Sequence, residues 1–185
     1  MPKAGQERRA RAGLTLVEVA ALLSVLGMVL AVAIPTLARS LRASKVAEAS
    51  EQLEFLSRAA AAYYAQPRID PQHGTVHCLP DAAGPAPSAP SVSSVVVDFS
   101  TAAGAPTWKA LGFAPAQPLR YRYAFLPVAS GCWVTPDPRA AQLTIRAEGD
   151  LDGDGVYSTF ERRATLGERG KLIPDPVLHI YDRIE

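Results

Sequence analysis

Residues 14–34 read LTLVEVAALLSVLGMVLAVAI, an apolar run whose single charged residue is Glu18. A helix of this length rises by about 1.5 Å per residue and is roughly 30 Å long, enough to cross the hydrocarbon core of a bilayer. The residues before it, 1–13, carry four basic side chains and one acidic side chain. Because basic residues hold their end of a span in the cytoplasm, the sequence predicts a membrane helix with its C-terminal side outside.

A basic segment before an apolar run is typical of two kinds of element, a cleaved secretory signal and a retained anchor. A signal peptide has an apolar core of about 7–15 residues followed by a small-x-small cleavage site. The core here is longer, and residues 35–39, which read PTLAR, contain no such site. We therefore interpret residues 14–34 as a retained single-pass anchor.

Glu18 is the unusual residue of this anchor. A charged side chain in a membrane helix costs up to about 2.5–3.5 kcal/mol at the bilayer centre and less near an end. Its own span contains no basic residue. Either Glu18 lies shallow enough to stay hydrated, or its partner is on another molecule, and we favour the second interpretation.

The segment Gly13–Glu18, GLTLVE, resembles the prepilin processing motif of the type IV pilin family. That motif has a glycine, the cleavage point, an apolar residue and a glutamate five residues into the mature chain. Gly27 and Pro35 also lie where pilins commonly have a glycine and a proline in the first helix. The resemblance covers Gly13–Leu37 and departs from the family at Leu14, where phenylalanine is commoner.

The resemblance implies that a prepilin peptidase cuts between Gly13 and Leu14 and methylates the new amine of Leu14. Mature subunits would leave the inner membrane and pack, helix against helix, with copies of themselves and with related pilins, driven by pilus or secretion assembly machinery. The amine of a neighbour would neutralise Glu18. Breaking such a buried pair from one side costs about 3–5 kcal/mol, so Glu18 would fix the register of assembly.

Gly27 and Pro35 both weaken the continuity of the predicted helix. In ordinary helix interiors a glycine costs about 1 kcal/mol and a proline about 3 kcal/mol relative to alanine. In related filaments the stretch between such residues unwinds locally, and this sequence permits the same change.

The predicted organisation is a leader, a long helix and an α+β head with an antiparallel sheet. The three parts are a removable cytoplasmic leader (1–13), the helix (14–66, of which 14–34 is the anchor) and an extracytoplasmic pilin-like head (67–185). Between Leu37 and Tyr63 apolar residues recur at spacings of three to five, which is typical of an amphipathic helix packed on a core.

Beyond the helix, the sequence predicts a surface loop and then strands. Six prolines between Gln66 and Ser91 argue against a regular helix or an interior strand there. Alternation and β-branched residues indicate five strands. These are Val92–Phe99, Leu119–Phe125, Gly131–Thr135, Leu143–Ala147 and, as an edge, Val177–Tyr181.

Cys78 and Cys132 lie on the outer side of the membrane in this topology. In an oxidising compartment a pair of cysteines is more often bridged than free. Closing a loop of this length stabilises a fold by about 4 kcal/mol in the chain-entropy model. We predict a disulfide, and the alternative is two buried thiols that do not meet.

Residues 150–161 read DLDGDGVYSTFE and match the twelve-residue calcium loop, with oxygen donors at its first, third, fifth, ninth and twelfth positions and glycine at its sixth. A hard cation needs six to eight oxygens, and a tight turn at the glycine brings alternate side chains to one centre. The predicted Ca2+ ligands are Asp150, Asp152, Asp154, the carbonyl of Val156, Ser158 and Glu161. The alternative is an acidic hairpin turn, because Asp and Gly are also turn residues.

Charge and motifs narrow the function further. The 19 basic and 18 acidic residues nearly balance, so bulk charge indicates no nucleic-acid partner. The sequence has no phosphate-binding loop, nucleophile elbow or His-Glu-x-x-His pattern, so nothing in it predicts an enzyme. His73, His77 and Cys78 form a weaker candidate metal cluster, because exposed loop histidines are usually solvated and Cys78 is expected to be bridged.

Three functions stay open on the sequence. The favoured one is a structural subunit of a type IV pilus, which moves from the inner membrane to an extracellular fibre. The second is a pseudopilin of a type II secretion system in the periplasm, since pseudopilins share the processing signal and often bind calcium. The third, of another class, is a membrane-anchored calcium-dependent binding module that never polymerises.

Overall fold

The computed structural model describes residues 15–135, 137, 139–167 and 171–181, with side chains for all of these except 38–45. Gly13 and Leu14, the predicted cleavage and methylation positions, lie outside the described residues. The chain is α+β, as predicted, with a long N-terminal helix and a mostly antiparallel sheet. It divides into two compact units, Met1–Ser44 and Lys45–Glu185.

The first helix, α1, covers Leu16–Ala65 and contains 50 residues, in agreement with the predicted helix. Its part in the first unit includes Leu16–Leu37, which has a mean hydropathy of 2.5 and no buried residue. By length and composition this part can cross a membrane, a property that signal sequences share. Pro35 lies inside α1 without ending it, and the hydroxyl of Thr36 is within hydrogen-bond distance of the carbonyls of the preceding turn, at 2.8 and 3.0 Å.

The second unit contains one short helix and eight strands among the described residues. The helix α2 covers Ala105–Ala110, and the strands are β1 (Arg68–Asp70), β2 (Gly74–Val76), β3 (Ala83–Ala86), β4 (Arg122–Pro127), β5 (Leu143–Gly149), β6 (Ser158–Leu166), β7 (Leu172–Pro174) and β8 (His179–Tyr181). The strands β1 and β2 form a separate hairpin. The main sheet has the order β3-β4-β5-β6-β7, with β8 also paired to β6, and all pairs are antiparallel.

The core of the second unit lies between the C-terminal part of α1 and one face of the sheet. Ala49, Leu53, Leu56 and Ala60 follow the helical period and are fully buried, in one cluster with the inward-facing residues of β4, β5 and β6. Each fully buried leucine contributes about 1.5–3 kcal/mol. The boundary between the two units therefore falls within α1, on the N-terminal side of the residues that pack on the sheet.

Two glutamates of α1 add polar contacts to this packing. Glu48 accepts hydrogen bonds from the backbone N–H groups of Arg120, at 2.8 Å, and of Tyr121, at 3.4 Å. Glu54 forms an ion pair with Arg162 of β6 at 3.0 Å. These charged positions, which the sequence places on other faces of the helix, therefore fix the sheet on α1.

The proline-rich segment differs from its prediction, because it contains β1, β2 and β3. The hairpin is possible because Pro71 lies in its turn, where the carboxylate of Asp70 accepts the backbone N–H groups of Gln72 and His73 at 2.8 and 2.9 Å. Pro85 lies in β3, which is an edge strand with a shifted register, and edge strands tolerate proline.

Two predicted strands are wrong, and the prediction lacks β6 and β7 as well as the three strands of the proline-rich segment. Val92–Phe99 and Gly131–Thr135 contain only isolated bridges, Val95 with Leu119 and Gly131 with Leu79. The β-branched residues of the first segment are largely exposed, so they have no sheet face to pack on. The longest of the missing strands is β6, whose charged residues hide its alternation. The predicted β4 and β5 are confirmed, and Val177–Tyr181 contains the short β8.

Candidate functional site

The first candidate site is the N-terminal turn of α1, where Glu18 lies. The backbone N–H of Thr15 donates to Glu18 Oε2 at 2.8 Å, and the Thr15 hydroxyl lies 2.9 Å from the same oxygen. The backbone N–H of Glu18 in turn donates to Thr15 Oγ1 at 3.3 Å. This reciprocal arrangement is a capping box, which gives Glu18 a local structural role. The Thr-x-x-Glu spacing ahead of an apolar run is the signal that sequence reasoning missed.

The rest of the span has its polar groups satisfied locally and its apolar side chains uncovered. The Ser24 hydroxyl donates to the carbonyl of Ala20 at 2.9 Å, as a helix in lipid requires. Leu16 is 87 % exposed and Met28 is 72 % exposed. At Gly27 a Cβ would meet nothing within 4 Å, so no contact within the described chain requires glycine there.

The second candidate site is the acidic loop, Asp150–Tyr157, which connects β5 to β6. The carboxylate of Asp150 accepts the backbone N–H groups of Gly153, at 2.8 Å, and of Gly155, at 3.2 Å. Gly155 has φ +86°, a left-handed conformation that favours glycine. Asp154 accepts the backbone N–H of Val156 at 2.7 Å. These hydrogen bonds hold the backbone of the loop in a tight turn around its own carboxylates.

Three of the predicted ligands converge in this loop. Asp150, Asp152 and Asp154 each offer a carboxylate oxygen, and these oxygens lie within 4.8 Å of one another. The loop is attached to the core by Leu151, which is buried. Before the loop, the ring of Tyr121 packs so closely on Gly149 that a Cβ would lie 2.6 Å from it. The donor set is one of hard oxygens, the kind that Ca2+ prefers.

Of the two remaining predicted side-chain ligands, Ser158 and Glu161, the glutamate is not part of this carboxylate cluster. Both are buried in β6, which begins at the ninth position of the calcium-loop pattern and carries the chain away at about 3.3 Å per residue. Glu161 instead contacts Arg146 and Arg163, each at 2.8 Å. In a helix the twelfth residue turns back toward the loop, whereas in this strand it pairs across the sheet.

Burial of Glu161 disfavours its charged form, yet hydrogen bonds from Arg163 and Arg146 outweigh that penalty. The net result is a pKa below the usual value for glutamate. The carboxylate therefore stays ionised as part of a side-chain network on the outer face of the sheet. Sequence reasoning missed this network because it needs the strand register, which places Arg146 opposite Glu161.

The network continues to β4 through a second glutamate. Arg122 and Glu148 are opposite in register and contact at 2.6 Å, while Arg146 lies 3.8 Å from Glu148. Opposite charges on facing positions of paired strands stabilise a sheet by about 0.2–1 kcal/mol per pair. The charged residues of β4, β5 and β6 thus form a structural face.

The predicted disulfide between Cys78 and Cys132 is present. It removes Cys78 from the weaker candidate metal cluster. The two histidines of that cluster have separate partners. The imidazole Nδ1 of His73 lies 2.9 Å from Asp70 Oδ1, and that of His77 lies 2.7 Å from the carbonyl of Tyr64.

Comparisons with known proteins return nothing: no family model matches the chain, and no curated protein or solved structure matches it either. The resemblance to type IV pilins therefore depends on residues 13–37 alone.

Proposed function

We propose that this chain is the precursor of a structural subunit, a pilin, of a type IV pilus filament. A prepilin peptidase cuts it between Gly13 and Leu14 and methylates Leu14. The mature subunit then assembles through residues 14–34 of its N-terminal helix. The observation that carries this proposal is a single carboxylate, Glu18, in the first turn of an apolar helix that nothing in the described chain covers.

The exposed helix must be covered by lipid or by other helices. Exposed apolar side chains lie on all of its faces across Leu16–Leu37, and a helix that is predominantly apolar all round is buried in a membrane or in the core of a larger assembly. A bilayer covers it in the precursor, and copies of the same helix cover it in a filament.

Glu18 supports a filament more strongly than a simple anchor. An anchor gains only the capping box from it, and an uncharged glutamine at this position makes the same cap. In a filament the methylated amine of Leu14 from a neighbouring subunit supplies a charge-assisted hydrogen bond, which is about twice as strong as a neutral one. The carboxylate therefore selects the position of the neighbour along the helix.

Gly27 and Pro35 fit the same proposal. Glycine weakens the helix by about 1 kcal/mol relative to alanine, and no contact in the described chain explains its presence. Close approach of a second helix, or local unwinding between Gly27 and Pro35 during assembly, supplies the missing reason.

We further propose that the acidic loop binds Ca2+ through Asp150, Asp152 and Asp154, with the carbonyl of Val156 and water completing the shell. Glu161 does not serve as a ligand, because it is committed to Arg146 and Arg163. A site with three carboxylates and no bidentate glutamate fits the weak class of extracellular calcium sites, with Kd of about 10⁻⁴–10⁻³ M. The bound ion orders the connection from β5 to β6.

The decisive experiment is N-terminal mass spectrometry of the protein recovered from sheared surface fibres. We expect a chain that begins at methylated Leu14, and we expect Glu18→Gln to abolish the fibres while the chain still reaches the membrane. Fibres confined to the periplasm, together with lost protein export on deletion, would assign the subunit to a type II secretion system. A working form that retains residues 1–13 would instead leave a tethered calcium-dependent module.

A further inference from the structure

A groove of about 410 Å³ lies beside the C-terminal half of β6. It exists because β7 pairs with residues 164–166 of β6 and β8 pairs with residues 159–161, so the chain between these two strands leaves the sheet. The side chains that decide its chemistry are Arg139, Arg163, Asp175 and His179. Ile173 contributes an apolar rim that is 52 % exposed.

Two arginines and one carboxylate line the groove, so its formal charge is +1 with His179 neutral. The one carboxylate among them, Asp175, accepts a hydrogen bond from the backbone N–H of Val177 at 2.9 Å and lies 3.3 Å from His179 Nε2. Arg163 is held by Glu161 at 2.8 Å. The exposed Arg139 guanidinium makes no ion pair with any acidic residue in the part of the chain that the structure describes. An anionic segment with a small apolar side chain therefore complements this surface.

The acidic loop has the opposite character. The carboxylates of Asp150, Asp152 and Asp154 accept only backbone N–H groups of their own loop, and no ion pair to a described basic residue involves them. Val156 next to them is 62 % exposed. A bound divalent cation leaves the three carboxylates with net negative charge, so the loop stays anionic in either state.

The groove and the loop of one copy cannot meet, because they lie at different ends of the same strand. The loop ends at Ser158, the first residue of β6, whereas the groove begins at Arg163. Five residues of strand separate them by about 17 Å. A contact between two different surfaces of identical copies forms a closed ring only if the rotation from one copy to the next closes the circle. Otherwise the contact repeats and forms an open helical filament.

We infer that the groove at Arg139 and Arg163 receives the acidic loop of a second copy of this chain, with Asp152 and Asp154 facing the two guanidinium groups and Val156 facing Ile173. This inference rests on the proposed filament function and names a head-to-head contact within it. It is additional to the helix contact at Glu18.

The test uses full-length chains in the membrane and in fibres. One copy carries Val156→Cys and a second, differently tagged copy carries Ala141→Cys at the groove wall, so that all charges are retained. A short thiol-specific cross-linker is then applied, and the native cysteines do not react because both are in the disulfide. The matched control replaces Ala141→Cys with Lys109→Cys, which is exposed on α2 and away from the groove.

We expect mixed dimers with the groove cysteine and none with the control. Arg139→Glu should lower the cross-linked fraction about tenfold or more, because it opposes like charges, and Asp152→Lys in the loop copy should restore it. Lys109→Glu, the same charge change elsewhere, should have no effect. Labelling that finds no free Cys78 or Cys132 thiols verifies that each variant is folded.

Two results would overturn the groove contact and leave the filament proposal intact. One is fibres in which no cross-link forms, and the other is a cross-linked fraction that neither Arg139→Glu nor Asp152→Lys changes. A charge-dependent cross-link in chains that keep residues 1–13 and form no fibres would support the contact and overturn the filament. An acidic loop that binds calcium only, with unchanged cross-linking after Asp152→Lys, would also overturn the contact.

Discussion

The two halves of α1 have the same secondary structure and opposite surroundings. The residues of Leu16–Leu37 are all exposed. In contrast, Ala49, Leu53, Leu56 and Ala60 are fully buried against the sheet. The first half exposes apolar side chains on every face, with Glu18 as its one charged residue, and the second half combines an apolar stripe with charged residues. Helical periodicity is therefore informative only where a protein core selects one face.

The difference separates what the halves do. Side chains of the second half determine whether the head folds, because they contribute to its core and bind the sheet through Glu48 and Glu54. Side chains of Leu16–Leu37 are exposed in one copy, so we expect them to determine what the molecule binds. Substitutions in the two halves should therefore separate assembly from stability.

Glu18→Gln should have the largest effect, and the effect should be on assembly alone. Glutamine keeps the capping box with Thr15 but removes the charge, and the loss of one partner of a buried pair costs about 3–5 kcal/mol. We expect fibre yield, measured by shearing and immunoblotting, to fall by about a hundredfold or more, while the melting temperature of the chain in detergent is unchanged. Normal fibres would show that Glu18 acts only as a cap.

Leu53→Ala should produce the reverse pattern. The fully buried side chain lies in the core cluster, and Leu→Ala substitutions in such places reduce the free energy of unfolding by about 2–5 kcal/mol. Leu30→Ala in the exposed half is the matched control and should leave unfolding unchanged. Chemical denaturation of the two detergent-solubilised variants measures the difference, and equal effects would show that the division of α1 is wrong.

Glu161→Gln should destabilise the head by about 1–3 kcal/mol, because two arginines lose a charged hydrogen-bond acceptor. The pKa of Glu161 is lowered in the fold, so its contribution is complete above the ordinary value near 4.5 and disappears as the pH falls through the lower folded value. Thermal melts of wild type and variant should therefore differ at pH 7 and converge under acid conditions. A difference that persists at low pH would indicate lost packing as the cause.

Calcium binding should have the smallest of these effects. It should raise the free energy of unfolding of the wild-type head by about 1.4 kcal/mol when free calcium is about ten times Kd. Asp152→Asn should abolish the increase in melting temperature, whereas Glu161→Gln should retain it on a lower baseline. Magnesium at equal concentration is the control for ionic strength. An increase lost in both variants would show that the ligands follow the full twelve-residue pattern, with Glu161 included, and not the three aspartates alone.

The sequence predicts elements well where one period dominates. The helix and the strands β4 and β5 follow from spacings of 3.6 and 2, and the disulfide follows from two cysteines on the predicted outer side of the membrane. The strand β6 was not predicted because Glu161, Arg162 and Arg163 interrupt its alternation. Each of the three has a hydrogen-bond partner distant in sequence, which for Arg163 is the Tyr181 hydroxyl. Charge pairing across a sheet is invisible until the register is known.

The candidate sites show the same limit. The acidic loop is predictable because its three aspartates act within five residues, but the twelfth position depends on whether a helix or a strand follows. Thr15 is different, because its capping spacing is readable from the sequence and needs only the correct pattern. Glu48 needs the tertiary structure, since its partners begin at Arg120.

The bridge between Cys78 and Cys132, 54 residues apart, also makes the intervening chain a covalent ring. The ring contains the exposed segment from Val92 to Val96, and exposed loops are the preferred places for proteolytic nicking. One cut there opens the ring without releasing either piece. A chain cut there therefore stays in one covalent piece until a reductant separates its fragments.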